Sequence, residues 1–228
     1  LTFPVETFAM VHDGTDIIDK EYKDLCAEMY AKGHSFFTYI SDSADSLASC
    51  CRLRNEVSEN TFSPTSGLTG VKTGSCNVIS LNMSRIVQDW CNSTKVAEWD
   101  NFTQQTWAQA TGKLKEECEN RLKSYLVSIL ERVYKYHIAY KTMLYEWEAA
   151  GMFASSNGGY IQIKDLFSTV GINGLNEAAE FLGLKVSNNP DYIAFLQLVL
   201  GTIKEQNAIH SIRDKKKPFL FNSEVVPA

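Results

Sequence analysis

Apolar residues along the chain fall into alternating helical and extended periods. Tyr22, Leu25, Cys26 and Met29 recur at helical spacing between Lys20 and Lys32, and Gly33 supplies the stop. Phe36 to Ile40 is aromatic and β-branched and predicts a strand, which the small polar residues from Ser41 to Ser49 end. From Cys50 to Gly74 the chain is polar, carries Gly67 and Gly70, and holds no sustained period. That predicts a long loop or hairpin, and loops of this length inside compact domains are often functional. Val78 to Ile86 reads as a second strand, while Trp90 to Trp99 fits neither period.

The strongest pattern lies between Phe102 and Ala150. Leu114, Cys118, Leu122, Leu126, Ile129, Val133, Tyr136, Tyr140 and Leu144 recur every three or four positions, which predicts one long helix or two in line with a packing stripe. Asn157-Gly158-Gly159 signals a turn, followed by a short strand over Tyr160 to Ile163. Two short helical segments are expected around Asp165 to Thr169 and Leu175 to Leu182, punctuated by Gly171, Gly174 and Gly183. Pro190 suits the first turn of a last helix that reaches about Ser211, capped by Asn189 or Asn188. Phe219 to Phe221 closes as a strand. Helices and strands alternate, so the pattern predicts an α/β fold, as one large domain or two small ones.

Charge and composition narrow the function classes. The 228 residues are 44% hydrophobic with a formal charge of -5, so nothing favours a polyanionic partner, and Lys215-Lys216-Lys217 reads as a solvated turn. No nucleic-acid role is expected. No stretch approaches the roughly 20 apolar residues of a membrane-spanning helix, and Leu1-Thr2-Phe3-Pro4-Val5 is not a secretory signal. A soluble, cytoplasmic protein with no membrane partner is the expectation. The start without Met and the end at Val225-Val226-Pro227-Ala228 suggest a fragment. The six cysteines (Cys26, Cys50, Cys51, Cys76, Cys91, Cys118) show neither a disulfide framework nor a zinc-type CxxC pair, so reduced thiols and no metal within the chain are expected.

Adjacent Cys50 and Cys51 are the unusual feature, because paired cysteines in a polar setting are poorly explained by packing. Arg52 beside them favours thiolate over thiol, which suits nucleophilic, redox or radical chemistry alike. Among His12, His34, His137 and His210, only His34 is placed to serve as a base for a Cys-His hydrolase, and no signature supports that reading. Gly67 to Gly74 has the Gly and Lys content of a phosphate loop but fits no nucleotide motif, and Gly171-Ile172-Asn173-Gly174 reads as a tight turn and helix cap.

Ser49-Cys50-Cys51-Arg52-Leu53, followed by Thr73-Gly74-Ser75-Cys76-Asn77-Val78-Ile79-Ser80-Leu81-Asn82-Met83-Ser84-Arg85-Ile86, resembles the finger loop and next strand of the class III (anaerobic) ribonucleoside triphosphate reductases. Gly159 to Ile163 with Thr169 to Ala179, and the run Phe221 to Ala228, resemble later segments of the same family in the same order. The resemblance spans essentially the whole chain. It implies an internal segment, residues 1–228, of a ten-stranded α/β barrel, with a cysteine-bearing finger loop at about 46–77 and a long helical region at about 102–150.

The resemblance further implies that a finger-tip cysteine becomes a thiyl radical and takes hydrogen from C3′ of a ribonucleotide, after which the 2′-hydroxyl leaves as water. The family pattern puts that role on Cys51, with Cys50 as the alternate, because the doubled cysteine leaves the register open by one. Asn82 matches a substrate-binding position, although Met83-Ser84 stands where Leu-Pro is usual, and Asn222 and Glu224 are expected to face the substrate. The glycyl radical and a cysteine-bound zinc are expected outside this segment, which alone should be inactive. Expected partners are a ribonucleoside triphosphate, an iron-sulfur activating enzyme using S-adenosylmethionine, and a second copy in a homodimer. The competing readings are a formate acyltransferase-like glycyl radical enzyme and a non-catalytic interaction module.

Overall fold

The computed structural model describes residues 6–34, 36–42, 46–48, 54–56, 74–93, 107 and 110–225. Strand β1 (Glu6–Val11) leads through helix α1 (Lys20–Ala31) to strand β2 (Phe36–Ser41), which pairs parallel to β1 from Glu6↔Phe36 to Val11↔Ser41. Asp19 caps α1 by accepting from the Tyr22 N–H at 2.9 Å, and Gly33 leaves the helix at φ +79°. Met10, Ile17, Cys26 and Phe36 form a small core of this unit. Two three-residue strands, β3 (Ser46–Ala48) and β4 (Arg54–Glu56), then pair antiparallel. Cys50 and Cys51 fall between them in sequence and lie outside the described residues.

The larger unit is a parallel three-stranded sheet in the order β5 (Ser75–Asn82), β6 (Phe167–Asn173), β7 (Leu220–Val225). Between β5 and β6 run α2 (Met83–Ser93) and α3 (Gly112–Ala149); between β6 and β7 run α5 (Leu175–Phe181) and α6 (Pro190–His210). A single short turn, α4 (Ala154–Asn157), precedes a 3₁₀ turn at Ile163–Asp165. Asn189 caps α6, its Oδ1 accepting from the Tyr192 N–H at 2.9 Å, with Pro190 in the first turn.

One face of the sheet is packed by helices. Leu81, Val170, Ile172 and Phe221 join Met83, Val87, Leu122, Leu126, Leu130, Ala178, Ala179, Leu182, Phe195, Val199 and Ile203 in one core. Each fully buried aliphatic side chain contributes about 2 kcal/mol against exposure. The 38-residue helix α3 is continuous, which settles the choice between one helix and two. Its buried stripe is Cys118, Leu122, Leu126, Leu130, Val133, Tyr134, His137, Lys141, Leu144 and Tyr145. The expected Tyr136 and Tyr140 are instead 70% and 38% exposed, as is Leu114 at 36%. Hydroxyl-bearing rings tolerate the wet side of a helix, and the buried positions they vacate belong to His137 and Lys141.

Three further expectations are corrected. The strand expected over Val78 to Ile86 stops at Asn82, and Met83 to Ile86 begins α2, because the Asn82 Oδ1 accepts from the Arg85 N–H at 3.0 Å and starts a helix. Residues 160–162 are not a strand, and the chain there is held instead by the Glu148 carboxylate, which accepts from the Ile163 N–H at 3.2 Å. Asp165 to Thr169 is not helical: Asp165 closes the 3₁₀ turn and Phe167 opens β6, a central strand buried from Ser168 to Ile172. Thr169, Val170 and Ile172 are β-branched, and a central strand flanked by β5 and β7 is buried at successive positions, so the alternation that would mark it is lost.

Candidate functional site

Period-two alternation and the strand register divide the sheet into two faces. Ile79↔Val170 and Leu81↔Ile172 point to the helices. The opposite, open face carries Ser80↔Gly171↔Glu224, Thr169↔Asn222 and Asn82↔Asn173 in register. Asn82, Asn222 and Glu224, the three residues picked from sequence as substrate-facing, therefore share one face. Asn82 stands at the carboxyl end of β5 and is exposed; Asn222 and Glu224 are half-buried on the edge strand β7. Gly171, between Ser80 and Glu224, leaves the middle of that row without a side chain.

A bulge shapes the start of this face. The β5–β6 register slips between Ser75↔Phe167 and Asn77↔Ser168, so Cys76 and Asn77 both turn toward the helices. Cys76 Sγ lies 3.6 Å from Ser168 Oγ, and Asn77 Oδ1 lies 3.1 Å from His137 Nδ1. Ser75 is thereby left on the open face, where its Oγ is 2.7 Å from Thr169 Oγ1 and donates to the Asn77 carbonyl at 2.9 Å. Thr169 Oγ1 in turn lies 2.7 Å from Asn222 Oδ1. One chain of polar contacts thus crosses all three strands. On Asn82 the oxygen is committed to capping α2, so its amide N–H groups are the atoms suited to a ligand.

Behind the sheet, α3 buries two titratable groups completely. Burial pushes the His137 imidazole down to about 4, and the Thr169 carbonyl nearby partly opposes this. Nδ1 meets Asn77, whereas Nε2 makes no hydrogen bond of ordinary geometry, so the ring is neutral. Burial also lowers the Lys141 ammonium, partly offset by Cys76 and Asp165, and Nζ donates to the Leu166 carbonyl at 2.5 Å. The Tyr145 hydroxyl donates to the Pro218 carbonyl at 2.6 Å. These contacts fasten α3 to the start of β5, to the residue before β6 and to the approach to β7, on the face away from Asn82, Asn222 and Glu224.

Of the other cysteines, Cys26, Cys91 and Cys118 are buried and Cys76 is half-buried. Burial, then the neighbouring Cys118, raises the Cys91 thiol to about 11, and burial raises Cys118 and Cys26 as well. Such thiols stay protonated and unreactive. No group of three or more potential metal ligands occurs among the described residues. No described helix is long and apolar enough to cross a membrane. The Lys215 to Lys217 run is an exposed turn closed by Asp214, whose carboxylate accepts from the Lys216 and Lys217 N–H groups at 2.8 Å.

Two clefts lined by described residues lie elsewhere. One of 840 Å³ beside α2 and the start of α3 is lined by Trp90, Lys113, Glu116, Arg121 and Tyr125, with Arg121 already paired to Glu117 at 2.6 Å. Another of 480 Å³ opens between the edge of β5 and Tyr136, Tyr140 and Met143. Neither touches the polar face, whose floor is a sheet without described walls. Sequence reasoning assigned Ser75 and Thr169 no role of their own, and Gly171, read there as the start of a tight turn, lies instead within β6.

Comparison with known proteins agrees with this layout. The family described as anaerobic ribonucleoside-triphosphate reductase matches residues 1–228. A comparison with curated proteins gave no match. Among solved structures, an anaerobic ribonucleotide reductase superposes with TM-score 0.61 at 18% identity, covering 98% of this chain and 31% of that one. The enzyme from Thermotoga maritima in complex with dATP and CTP gives 0.59 at 21% identity over 98% of this chain and 33% of that one. The same enzyme with citrate in the active site gives 0.60 at 21% identity over 100% and 36%. The chain therefore spans about a third of the length of the structures it matches. Its whole length fits the family pattern, and its α/β fold with parallel sheets is theirs: the chain belongs to the anaerobic ribonucleoside-triphosphate reductase family.

Proposed function

We propose that this chain is the central part of an anaerobic ribonucleotide reductase, an oxidoreductase that converts ribonucleoside triphosphates to deoxyribonucleotides, and that the open face of the β5–β6–β7 sheet is one wall of its substrate site. The observation that carries this is the convergence of Asn82, Asn222 and Glu224, from two separate strands, onto one face. The core side chains Ile79, Leu81, Val170, Ile172 and Phe221 go to the other face, and Val78, an apolar neighbour on this one, is 48% exposed, so packing explains these polar residues poorly. In this reading the sheet is part of a ten-stranded barrel, and residues 46–77 form the finger that carries the cysteines into it. The whole of residues 1–228 belongs to that catalytic domain.

Chemistry on such a face needs an atom that exchanges hydrogen with carbon reversibly. A cysteine thiol does, and Cys51, beside Arg52, is assigned that role, with Cys50 the alternate. The polar face binds and orients the ribose so that C3′ meets the sulfur, a positioning effect that converts a bimolecular step into an intramolecular one. Loss of the 2′-hydroxyl as water leaves a two-electron deficit that an external reductant must fill. The radical is supplied by a glycine outside this segment, generated by an iron-sulfur partner with S-adenosylmethionine. A structural zinc outside the segment, a homodimeric assembly and a cytoplasmic location complete the reading.

The test is conversion of CTP to dCTP by the complete protein, activated without oxygen, beside Cys50→Ser and Cys51→Ser. Turnover that survives Cys50→Ser and vanishes in Cys51→Ser, with the glycyl radical still formed, supports the assignment. A radical-loaded wild-type protein that makes no deoxynucleotide overturns it and directs attention to acyl transfer.

A further inference from the structure

We propose that Ser75 and Thr169 hold the Asn222 amide with its nitrogen toward Thr169 and its carbonyl oxygen on the open face, so that this position accepts a hydrogen bond from a ligand hydroxyl. The orientation follows from counting protons. Three contacts link the group: Ser75 Oγ to the Asn77 carbonyl at 2.9 Å, Ser75 Oγ to Thr169 Oγ1 at 2.7 Å, and Thr169 Oγ1 to the near atom of the Asn222 amide, placed as Oδ1, at 2.7 Å. A hydroxyl carries one hydrogen and a backbone carbonyl none. The Asn77 carbonyl therefore consumes the Ser75 hydrogen. Ser75 must then accept from Thr169, which consumes the Thr169 hydrogen.

Thr169 is left able only to accept, and the amide atom facing it must be Nδ2. The opposite arrangement, with Oδ1 toward Thr169, asks two hydrogens to serve three bonds and breaks one. Side-chain amide oxygen and nitrogen have nearly the same shape, so this network, not the outline of the group, decides between them. Thr169 is fully buried, so water does not supply the missing hydrogen. The bulge at Ser75–Asn77 is what brings the Asn77 carbonyl within reach of the Ser75 hydroxyl and so sets the direction of the relay.

The consequence is a specificity rule. An outward oxygen on Asn222, two residues from the Glu224 carboxylate on the same face, favours ligand groups that donate, such as sugar hydroxyls, over phosphate oxygens, which only accept. This deepens the substrate reading above and rests on it for the identity of the ligand. Ser75 and Thr169 are positioning residues in this scheme, acting through Asn222.

The test has two arms. In the complete protein, binding of CTP is compared with its 2′-fluoro and 3′-fluoro analogues, where fluorine keeps the size of the hydroxyl and removes its donor. Wild type is expected to prefer CTP over one analogue by about tenfold, the worth of one hydrogen bond. Thr169→Ser, which keeps the hydroxyl, retains that ratio, and Thr169→Val, which frees the amide to turn, brings it near one. An unchanged ratio in Thr169→Val overturns the proposal. Neutron diffraction from the deuterium-exchanged wild-type protein reads the amide without any ligand: deuterons on the Asn222 atom facing Thr169 support the relay, and their absence there overturns it. If wild type binds no CTP, the substrate reading fails, while the neutron result still decides the amide.

Discussion

At the scale of single residues, His137 makes the clearest demand on conditions. The fold lowers it from 6.5 to about 4, chiefly by burial, so between those values the unfolded chain binds a proton that the native chain refuses. Stability is thus independent of this group above pH 6.5, falls as pH drops through the window, and levels below about 4, a loss of roughly 3 kcal/mol. The groups around the ring are Asn77, the Thr169 carbonyl and the Phe221 ring, with Lys141 one turn along α3; none supplies a negative charge that would reverse the sign. Opening free energies of β6 amides, measured by hydrogen exchange between pH 7.5 and 4, should show this slope, and His137→Gln should flatten it. A wild-type slope unchanged in the variant assigns the acid sensitivity elsewhere. None of this was visible in the sequence, where His137 is one polar letter inside a helical stripe. Asn82, Asn222 and Glu224 were picked there because they sit in family blocks, and the fold puts them on one face; Ser75 and Thr169, which touch Asn222 or its partner, carried no separate mark.

At the scale of elements, the β6–α5 junction is where backbone freedom and packing coincide. Gly174 has φ +73°, and a Cβ there meets Ser84 N at 3.2 Å and Ser84 Cβ at 3.3 Å at the start of α2. Gly159 has a similar φ of +77° with nothing within 4 Å. Gly159→Ala should therefore cost only the left-handed strain of about 1 kcal/mol, and Gly174→Ala about 1–2 kcal/mol more, because α2 must give way. Thermal unfolding of the two variants separates the terms, and equal losses would mean that α2 yields freely. Helix caps follow the same logic: Asn189→Ala should cost about 1–2 kcal/mol, since the Tyr192 N–H loses its acceptor and the Lys185 carbonyl its donor, and Asn189→Asp should restore only the first of these. Helices with local signals, α1, α3 and α6, were legible in the sequence for this reason. The strand β6 was not, because its burial at successive positions comes from lying between β5 and β7, a property of its neighbours more than of its own residues.

For the whole molecule, the two hydrophobic cores built on paired strands define the units in which it can open, and a third cluster, Leu144, Tyr145, Ile163 and Leu166, ties the end of α3 to the 3₁₀ turn beside the second. The β1–α1–β2 core rests on Met10, Ile17, Cys26 and Phe36, while the sheet β5–β6–β7 shares its core with α2, α3, α5 and α6. The α/β alternation was readable from the chain, but the partition into two cores was not, because it depends on which strands pair, and β2 pairs with β1 and not with β5. Phe36 stacks on Tyr30 at 4.1 Å and meets Phe8 edge-on at 4.7 Å, all within the first unit. Ile172 is 1% exposed at the centre of the second. Each truncation to Ala removes about 2–5 kcal/mol of local packing, yet the losses should surface in different places. Segment-resolved hydrogen exchange on the complete protein should show Phe36→Ala accelerating residues 6–41 with β6 unchanged, and Ile172→Ala accelerating β5, β6, β7 and α3 together. If Phe36→Ala speeds β6 as much as β2, the two cores unfold as one, and the small parallel pair is a fixed wall of the same cooperative body that holds Asn82, Asn222 and Glu224.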